Sequence, residues 1–147
     1  IPESFHSWLF VAYYSVHALQ TALLLGYLYS SSLERSRKWL ASALVGAVVS
    51  VPVAALFLVE VAAPILLHLP HHHCVYDLLA IAPESILALV LFVGGTFAVA
   101  WASVAAWCAG SPETVLVTQQ VSRILVRAGV AGYLGSVAMF SIELALA

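Results

Sequence analysis

Four long apolar stretches alternate with short polar segments along this chain, and the pattern predicts four membrane-spanning helices. Each stretch is long enough to cross ~30 Å of hydrocarbon at ~1.5 Å per residue. The first has Trp8 at one end and Tyr27 and Tyr29 at the other, as is typical of the aromatic belts of membrane helices. The predicted spans are residues 8–29, 39–69, 78–108 and 124–146.

Prolines and capping residues predict irregular places within these spans. The second stretch exceeds a minimal span, so bends are expected at Pro52 and Pro64. Asp77 is expected to cap the third helix, and Pro83 is either tolerated near the start of that helix or marks its true first turn. Residues 112–122 are expected to form an interfacial turn before the last helix.

The composition of the chain excludes a soluble domain. Of its 147 residues 63% are hydrophobic and 8% are charged, and its mean hydropathy is +1.05. Soluble domains are about half apolar and about a quarter charged. We therefore expect one all-α transmembrane domain over residues 1–147, a four-helix bundle in contact with lipid. No nucleic-acid-binding surface, P-loop or hydrolase motif is present, and no basic segment at the start predicts a signal peptide.

All five basic residues fall on one side of this predicted bundle. Three lie in the polar turn of residues 30–38, and two lie at the entry to the last helix. The positive-inside rule therefore places both connecting turns in the cytoplasm and both termini outside. The membrane is expected to be a plasma membrane or an energy-transducing inner membrane. The basic residues are Arg35, Arg37, Lys38, Arg123 and Arg127.

The segment 68–77 between the second and third spans gathers side chains that bind metals. Imidazole, thiolate and carboxylate together suit Cu or Zn, and two histidines with Cys74 or Asp77 would make a reasonable ligand count. The alternative is an interfacial loop with solvated histidines, in which Asp77 only caps a helix. The candidate metal ligands are His71, His72, His73, Cys74 and Asp77.

Histidines near the predicted outer face are candidates for cofactor binding. His6 and His17 are about three helical turns apart and share one face of the first helix. A haem b near the outer face would use one of them together with His68 or another histidine of the loop. Aromatic residues of the first helix are candidates to line a haem or quinone pocket, although such residues more often face lipid. The absence of a CxxCH motif argues against a c-type haem.

Ionisable residues inside the predicted spans form a second candidate site. Ionisable groups are costly in hydrocarbon and usually functional there. Counting inward from the outer face places His17, Glu60 and Glu84 at similar depths beneath the loop, and Glu143 in the same outward half. His17 and Glu60 are expected to pair if they lie at matching depth. The alternative is a set of protonated carboxyl groups that only support helix packing.

Small residues of the last helix predict close helix packing. Ala128, Gly132 and Gly135 belong to small-xxx-small patterns, which let backbones approach each other in lipid. These residues pack either against another helix of this chain or against a partner, which would be another membrane subunit or a second copy.

Three functions remain open at this point. The favoured one is a membrane subunit of a redox or energy-converting complex, with an outward metal or haem site above a buried His/Glu cluster that handles protons or quinol. The second is a Cu or Zn binding or transport protein. The third is a structural or assembly subunit without a cofactor. A stand-alone enzyme is least favoured, because no nucleophile-and-base pair is visible.

Overall fold

A computed structural model describes residues 7–30, 33–69, 74–108 and 112–146, with side chains at all of these except 33–35 and 112–113. Within these residues every regular element is helical. The described residues contain four helices long and apolar enough to cross a membrane. The predicted all-α fold, with four helices long and apolar enough to span a membrane, is thereby confirmed. The four are Ser7–Tyr29, Ser36–Leu66, Glu84–Cys108 and Thr114–Leu146.

Helix α1 (Ser7–Tyr29) matches the first predicted span, whereas the second span begins earlier than predicted. Helix α2 (Leu33–Phe57) starts inside the segment predicted to be a polar turn. Arg37 and Lys38 therefore lie in the first turns of α2. Leu, Glu, Arg and Lys are good helix formers, so the polar character of this segment does not prevent it from joining the helix.

Pro64 changes the helical hydrogen bonding of the second span. A π-helical segment, Leu58–Ala62, follows α2 and leads into the short helix α3 (Ala63–Leu66). The Ala63 N–H donates to the Leu58 carbonyl, five residues back. Pro64 has no N–H to donate, and its ring would clash with the carbonyl four residues back, so a wider turn relieves the conflict. At Pro52, by contrast, α2 continues without a break.

His68 ends the second span in a left-handed backbone conformation, with φ of 53°. The His68 N–H donates to the Ile65 carbonyl at 3.1 Å, and the Leu69 N–H donates to the Pro64 carbonyl at 3.2 Å. These two bonds define a Schellman motif with His68 at the position usually taken by glycine. His68 therefore has a structural role at the end of the helix.

The third span is divided, so the prediction of one helix over residues 78–108 is wrong. Helix α4 (Val75–Ile81) and helix α5 (Glu84–Cys108) are separated at Ala82 and Pro83. Ala82 has φ of −116° and ψ of 76°, because a residue before proline is kept out of the helical region. Pro83 thus marks the true start of the long helix. The cap of α4 is Cys74, and Asp77 lies in its first turn, which corrects the predicted cap.

The last span is longer than predicted. Helix α6 (Pro112–Leu146) is continuous over 35 residues, about 52 Å at ~1.5 Å per residue. The order Ser-Pro-Glu at residues 111–113 predicts the helix start at Pro112, and residues 112–122 belong to this helix rather than to a separate interfacial turn. That segment contains no glycine, and its only proline is at the first helical position, where proline is tolerated.

Glycines bring α5 and α6 into backbone contact. A Cβ atom at Gly132 would lie 2.6 Å from the Leu91 carbonyl oxygen and 2.8 Å from the Gly95 Cα. Gly135 also faces α5, where a Cβ would meet the Leu91 side chain at 3.1 Å. Ala128 is exposed. Gly132 and Gly135 therefore serve packing within this chain, one of the two alternatives for the small-residue pattern.

Candidate functional site

His17 lies in the interior of the bundle, with 2% of its surface exposed. Its Nδ1 atom is 2.8 Å from the carbonyl oxygen of Tyr13, one turn earlier in α1. Because a carbonyl oxygen only accepts hydrogen bonds, Nδ1 carries the proton and Nε2 presents a lone pair. Nε2 is buried and has no hydrogen-bond partner among the described residues. His17 is therefore a fixed imidazole with one unused proton-accepting atom.

Aromatic rings from three helices surround this imidazole. The ring centroids of Tyr13, Phe92 and Tyr133 lie 4.2, 5.6 and 5.8 Å from that of His17. Tyr13 also stacks on Phe57 of α2, with centroids 4.0 Å apart. All four spans thus contribute to the enclosure of one polar side chain.

Hydroxyl groups lie in the same part of the bundle interior. The Tyr13 and Ser136 hydroxyls face each other between α1 and α6, and neither bonds to any other described residue. The Tyr133 hydroxyl is 3.0 Å from Thr96 Oγ1 and 3.5 Å from Ser50 Oγ. Each unsatisfied buried polar atom costs about 1–3 kcal/mol. We name Tyr13, His17 and Ser136, each with an unpartnered polar atom, the central cluster.

Helical spacing explains why these residues meet. Tyr13, His17 and Gln20 are three or four residues apart, so they form one buried stripe along α1. Gln20 Nε2 donates to the Ala43 carbonyl at 2.9 Å, which attaches this stripe to α2. The Gln20 Oε1 atom is buried and also unpartnered among the described residues. The polar stripe is thus turned away from the outer surface along its whole length.

The central cluster lies about halfway between Arg123 and Glu143 along α6. Tyr133 is about 15 Å from each of them at ~1.5 Å per residue. Because His17 packs on Tyr133, it shares this central level.

No protein-family model matches this chain, and no curated protein or solved structure matches it either. Its function must therefore be inferred from its own residues and their geometry.

The predicted cluster of His17 with three glutamates is not assembled in the structure. Neither ring nitrogen of His17 bonds to Glu60, so the expected pair is absent. Since α1 and α2 are antiparallel and Tyr13 stacks on Phe57, Glu60 lies nearer the start of α1 than His17 does. Glu84 is exposed. Counting residues from the assumed span ends had placed His17 and Glu60 at the same level, whereas the stacking of Tyr13 on Phe57 separates them along the bundle.

Glu143 is held by a different partner. The Ser85 hydroxyl donates to Glu143 Oε2 at 2.6 Å, which joins the start of α5 to the end of α6. Glu143 Oε1 is buried without a hydrogen-bond partner among the described residues. This carboxyl group therefore supports the packing of α5 on α6, as the structural alternative predicted for such groups.

The predicted metal and haem sites fall partly outside the described residues. His6 and residues 71–73 lie outside them, and His68 is exposed. Cys74 is partly buried at the cap of α4, and Asp77 is partly buried in its first turn. Within the described part of the chain, no group of three potential metal ligands comes together. The loop site for Cu or Zn, and an outer haem, stay predictions.

Sequence reasoning missed the hydroxyl groups around His17. The sequence predicted Tyr13 only as an aromatic residue that could line a pocket and Ser136 only as a small packing residue, and Tyr133 was not singled out, because single tyrosines and serines are common in membrane helices. Their spacing held a usable signal, since Tyr13 precedes His17 by one turn and Ser136 follows Tyr133 on the same face of α6.

Proposed function

We propose that this chain is a membrane-embedded subunit of a redox or energy-converting complex, in which the central cluster handles protons within the bilayer. The observation that carries the proposal is the unpartnered Nε2 of His17, a neutral proton acceptor buried at the centre of the bundle. A histidine needed only for packing would be expected to satisfy both ring nitrogens.

The cluster contains the groups that a proton transfer step needs. His17 Nε2 accepts a proton, and the hydroxyls of Tyr13 and Ser136 are able to donate or accept one. Imidazole ordinarily changes its charge between about pH 5 and 8, in the range used by energy-converting membranes. The donor is either a water molecule or a quinol hydroxyl, and both would bond to the same nitrogen.

The exposed surface of the bundle supports the role of a subunit. Helix α5 turns large aromatic side chains outward, with Phe97, Trp101 and Trp107 between 55% and 65% exposed. Phe97 and Trp101 stack on each other with centroids 6.0 Å apart. Lipid or a neighbouring membrane subunit would cover this face. The exposed Ala128 on α6 leaves a second close-packing position for such a neighbour, or for another copy of the chain.

The orientation of the chain is part of the proposal. Arg37 and Lys38 in the first turns of α2 lie at the same end of the bundle as Arg123 and Arg127 on α6. The positive-inside rule places this end in the cytoplasm of a plasma or inner membrane. Both termini would then lie outside.

Nitrogen NMR of the ¹⁵N-histidine-labelled protein in lipid bilayers tests the proton function. We expect the His17 ring N–H to exchange with solvent deuterium within minutes, and Nε2 to take up a proton when the pH is lowered. Tyr13→Phe and Ser136→Ala should each slow that exchange by about tenfold, because each removes a hydroxyl of the central cluster.

A serine outside the cluster provides the control. Ser103 is buried like Ser136, but its hydroxyl donates to the Val99 carbonyl of its own helix. Ser103→Ala should leave the His17 signal unchanged. An imidazole that neither titrates nor exchanges over hours would show a packing histidine and would refute the proposal.

A metal-binding function is the second candidate, favoured by the start of α4. Cys74 caps this helix and Asp77 lies in its first turn, so both candidate ligands belong to one helix end. Side chains at these two positions can approach each other, as they do in a capping box. With histidines of residues 71–73 they would bind Cu or Zn, either for storage or for transport.

Replacement of three ligands tests the metal-binding candidate. Changing His71, His73 and Cys74 together to Ala should abolish bound Cu or Zn, measured by elemental analysis, while the helical content stays the same. Binding in the unmodified protein should weaken below about pH 6, because protonated imidazole cannot bind a metal. Equal metal content in the variant would contradict this function.

A further inference from the structure

A polar cleft lies at the basic end of the bundle, away from the central cluster. It opens where the last turns of α1 and α5 meet the first turns of α2 and the early part of α6. Arg37 of α2 and Arg123 of α6 line it from two sides, and both are exposed. No described carboxylate forms an ion pair with either arginine. The cleft therefore presents two guanidinium groups to a common space.

Neutral hydrogen-bonding groups complete the polar part of the cleft. Ser36 and Gln119 line it together with the two arginines. The hydroxyls of Thr118 and Ser122 already donate to the backbone, at 2.8 Å to Thr114 and 3.2 Å to Ala102. The donors suited to an external ligand thus include the guanidinium groups and the Gln119 amide. Guanidinium groups bind phosphate oxygens with two parallel hydrogen bonds, which favours an anionic phosphate as the ligand.

The position of the cleft along the bundle identifies the source of that phosphate. Arg123 lies about 15 Å along α6 from Tyr133, at the end of the bundle where the basic residues gather, and basic residues collect where hydrocarbon meets the headgroups. Apolar side chains, including Leu40 and Val115, form another part of the wall. A lipid presents this same combination, with its phosphate beside its acyl chains.

We propose that this cleft binds the phosphate of an anionic phospholipid headgroup. Arg37 and Arg123 bind the phosphate oxygens from opposite sides, and the apolar wall packs against the upper part of an acyl chain. A bound lipid of this kind would connect α2 to α6 at the basic end of the bundle. The site is independent of the proton function, since it lies about 15 Å from the central cluster.

Native mass spectrometry of the purified full chain tests the site with two lipids of equal chain length. We expect phosphatidylglycerol to bind at least about tenfold more tightly than phosphatidylcholine, whose positive choline would face the arginines. The double variant R37Q/R123Q should lose about tenfold or more in phosphatidylglycerol affinity. Both side chains are exposed, so the fold should tolerate these changes.

A second double variant controls for general surface charge. K38Q/R127Q removes the same charge from the same end of the bundle, but neither residue lines the cleft. It should lose less than about threefold in affinity, since it removes only long-range attraction. Equal losses in the two double variants would refute a built site. Equal binding of phosphatidylglycerol and phosphatidylcholine would also refute a built site. Displacement of the lipid by millimolar inorganic phosphate would assign the cleft to free phosphate instead.

Discussion

At the scale of single residues, the backbone of His68 has a structural role that the sequence did not predict. Histidine in this position invites a functional interpretation, yet its N–H and its φ of 53° close a Schellman motif. A left-handed conformation costs an L-residue roughly 1–2 kcal/mol relative to the right-handed one, and glycine avoids that cost.

Replacement of His68 should therefore follow backbone preference. His68→Gly should raise the free energy of unfolding by up to roughly 1 kcal/mol. The reason is that glycine removes the strain of the left-handed conformation in the folded state, and this gain exceeds the conformational entropy that glycine adds to the unfolded chain. His68→Val should lower it by about 1 kcal/mol or more, since a β-branched residue resists positive φ. Thermal unfolding in detergent measures both. Similar effects of Gly and Val would contradict the structural role.

Gly46 provides a second test at this scale, because it leaves room for the Gln20 side chain. A Cβ atom at Gly46 would overlap Gln20 Oε1, so Gly46→Ala should displace the amide from the Ala43 carbonyl. We expect a loss of roughly 1–3 kcal/mol in the free energy of unfolding. The double variant G46A/Q20A should be less impaired than the two single variants summed. Additive losses would show that the two residues do not interact.

At the scale of helices, the apolar pattern predicted the existence of the spans but not all of their ends. Hydrophobicity indicates which part of a helix lipid can surround, but the helical hydrogen bonds can continue beyond the end of that apolar part. For this reason α6 runs through residues 112–122, which had been assigned to a turn. Prolines were more informative, because Pro83 divides the third span and Pro64 introduces the π-helical segment.

Glycines of α5 and α6 permit a direct test of helix packing. Gly132→Ala should lower the free energy of unfolding by about 1–3 kcal/mol, because its Cβ would lie 2.6 Å from the Leu91 carbonyl oxygen. Gly94→Ala is the matched control, since no atom lies within 4 Å of its added Cβ. That change should be neutral or stabilising by up to about 1 kcal/mol. Chemical unfolding of both variants in one detergent makes the comparison.

At the scale of the whole molecule, the two cysteines report on orientation. Cys108 is exposed at the basic end of α5, and Cys74 is partly buried near the opposite end of the bundle. An impermeant thiol reagent applied to intact cells should label Cys74, if no metal occupies it, and leave Cys108 unlabelled until the membrane is opened. Labelling of Cys108 alone from outside would reverse the proposed orientation.

The candidate site also shows that a sequence does not contain the relative alignment of its helices. His17 was correctly predicted as a buried ionisable residue, because polarity inside an apolar stretch is visible without a structure. Its neighbours depend on how four helices align, and an error of about one turn moves a side chain by ~5.4 Å. An error of this size explains why Glu60 was predicted as the neighbour of His17, where the structure has Tyr133.

The buried polar stripe of α1 has a consequence for the biogenesis of the protein. While the chain is being synthesised, α1 precedes every helix that later covers Tyr13, His17 and Gln20, so these side chains would meet lipid directly if α1 entered the bilayer alone. Polar groups in hydrocarbon without partners oppose insertion. Helix α1 should therefore leave the translocon together with α2, as a hairpin in which Gln20 already bonds to Ala43. Release of His17 from the translocon channel would then wait for α5 and α6.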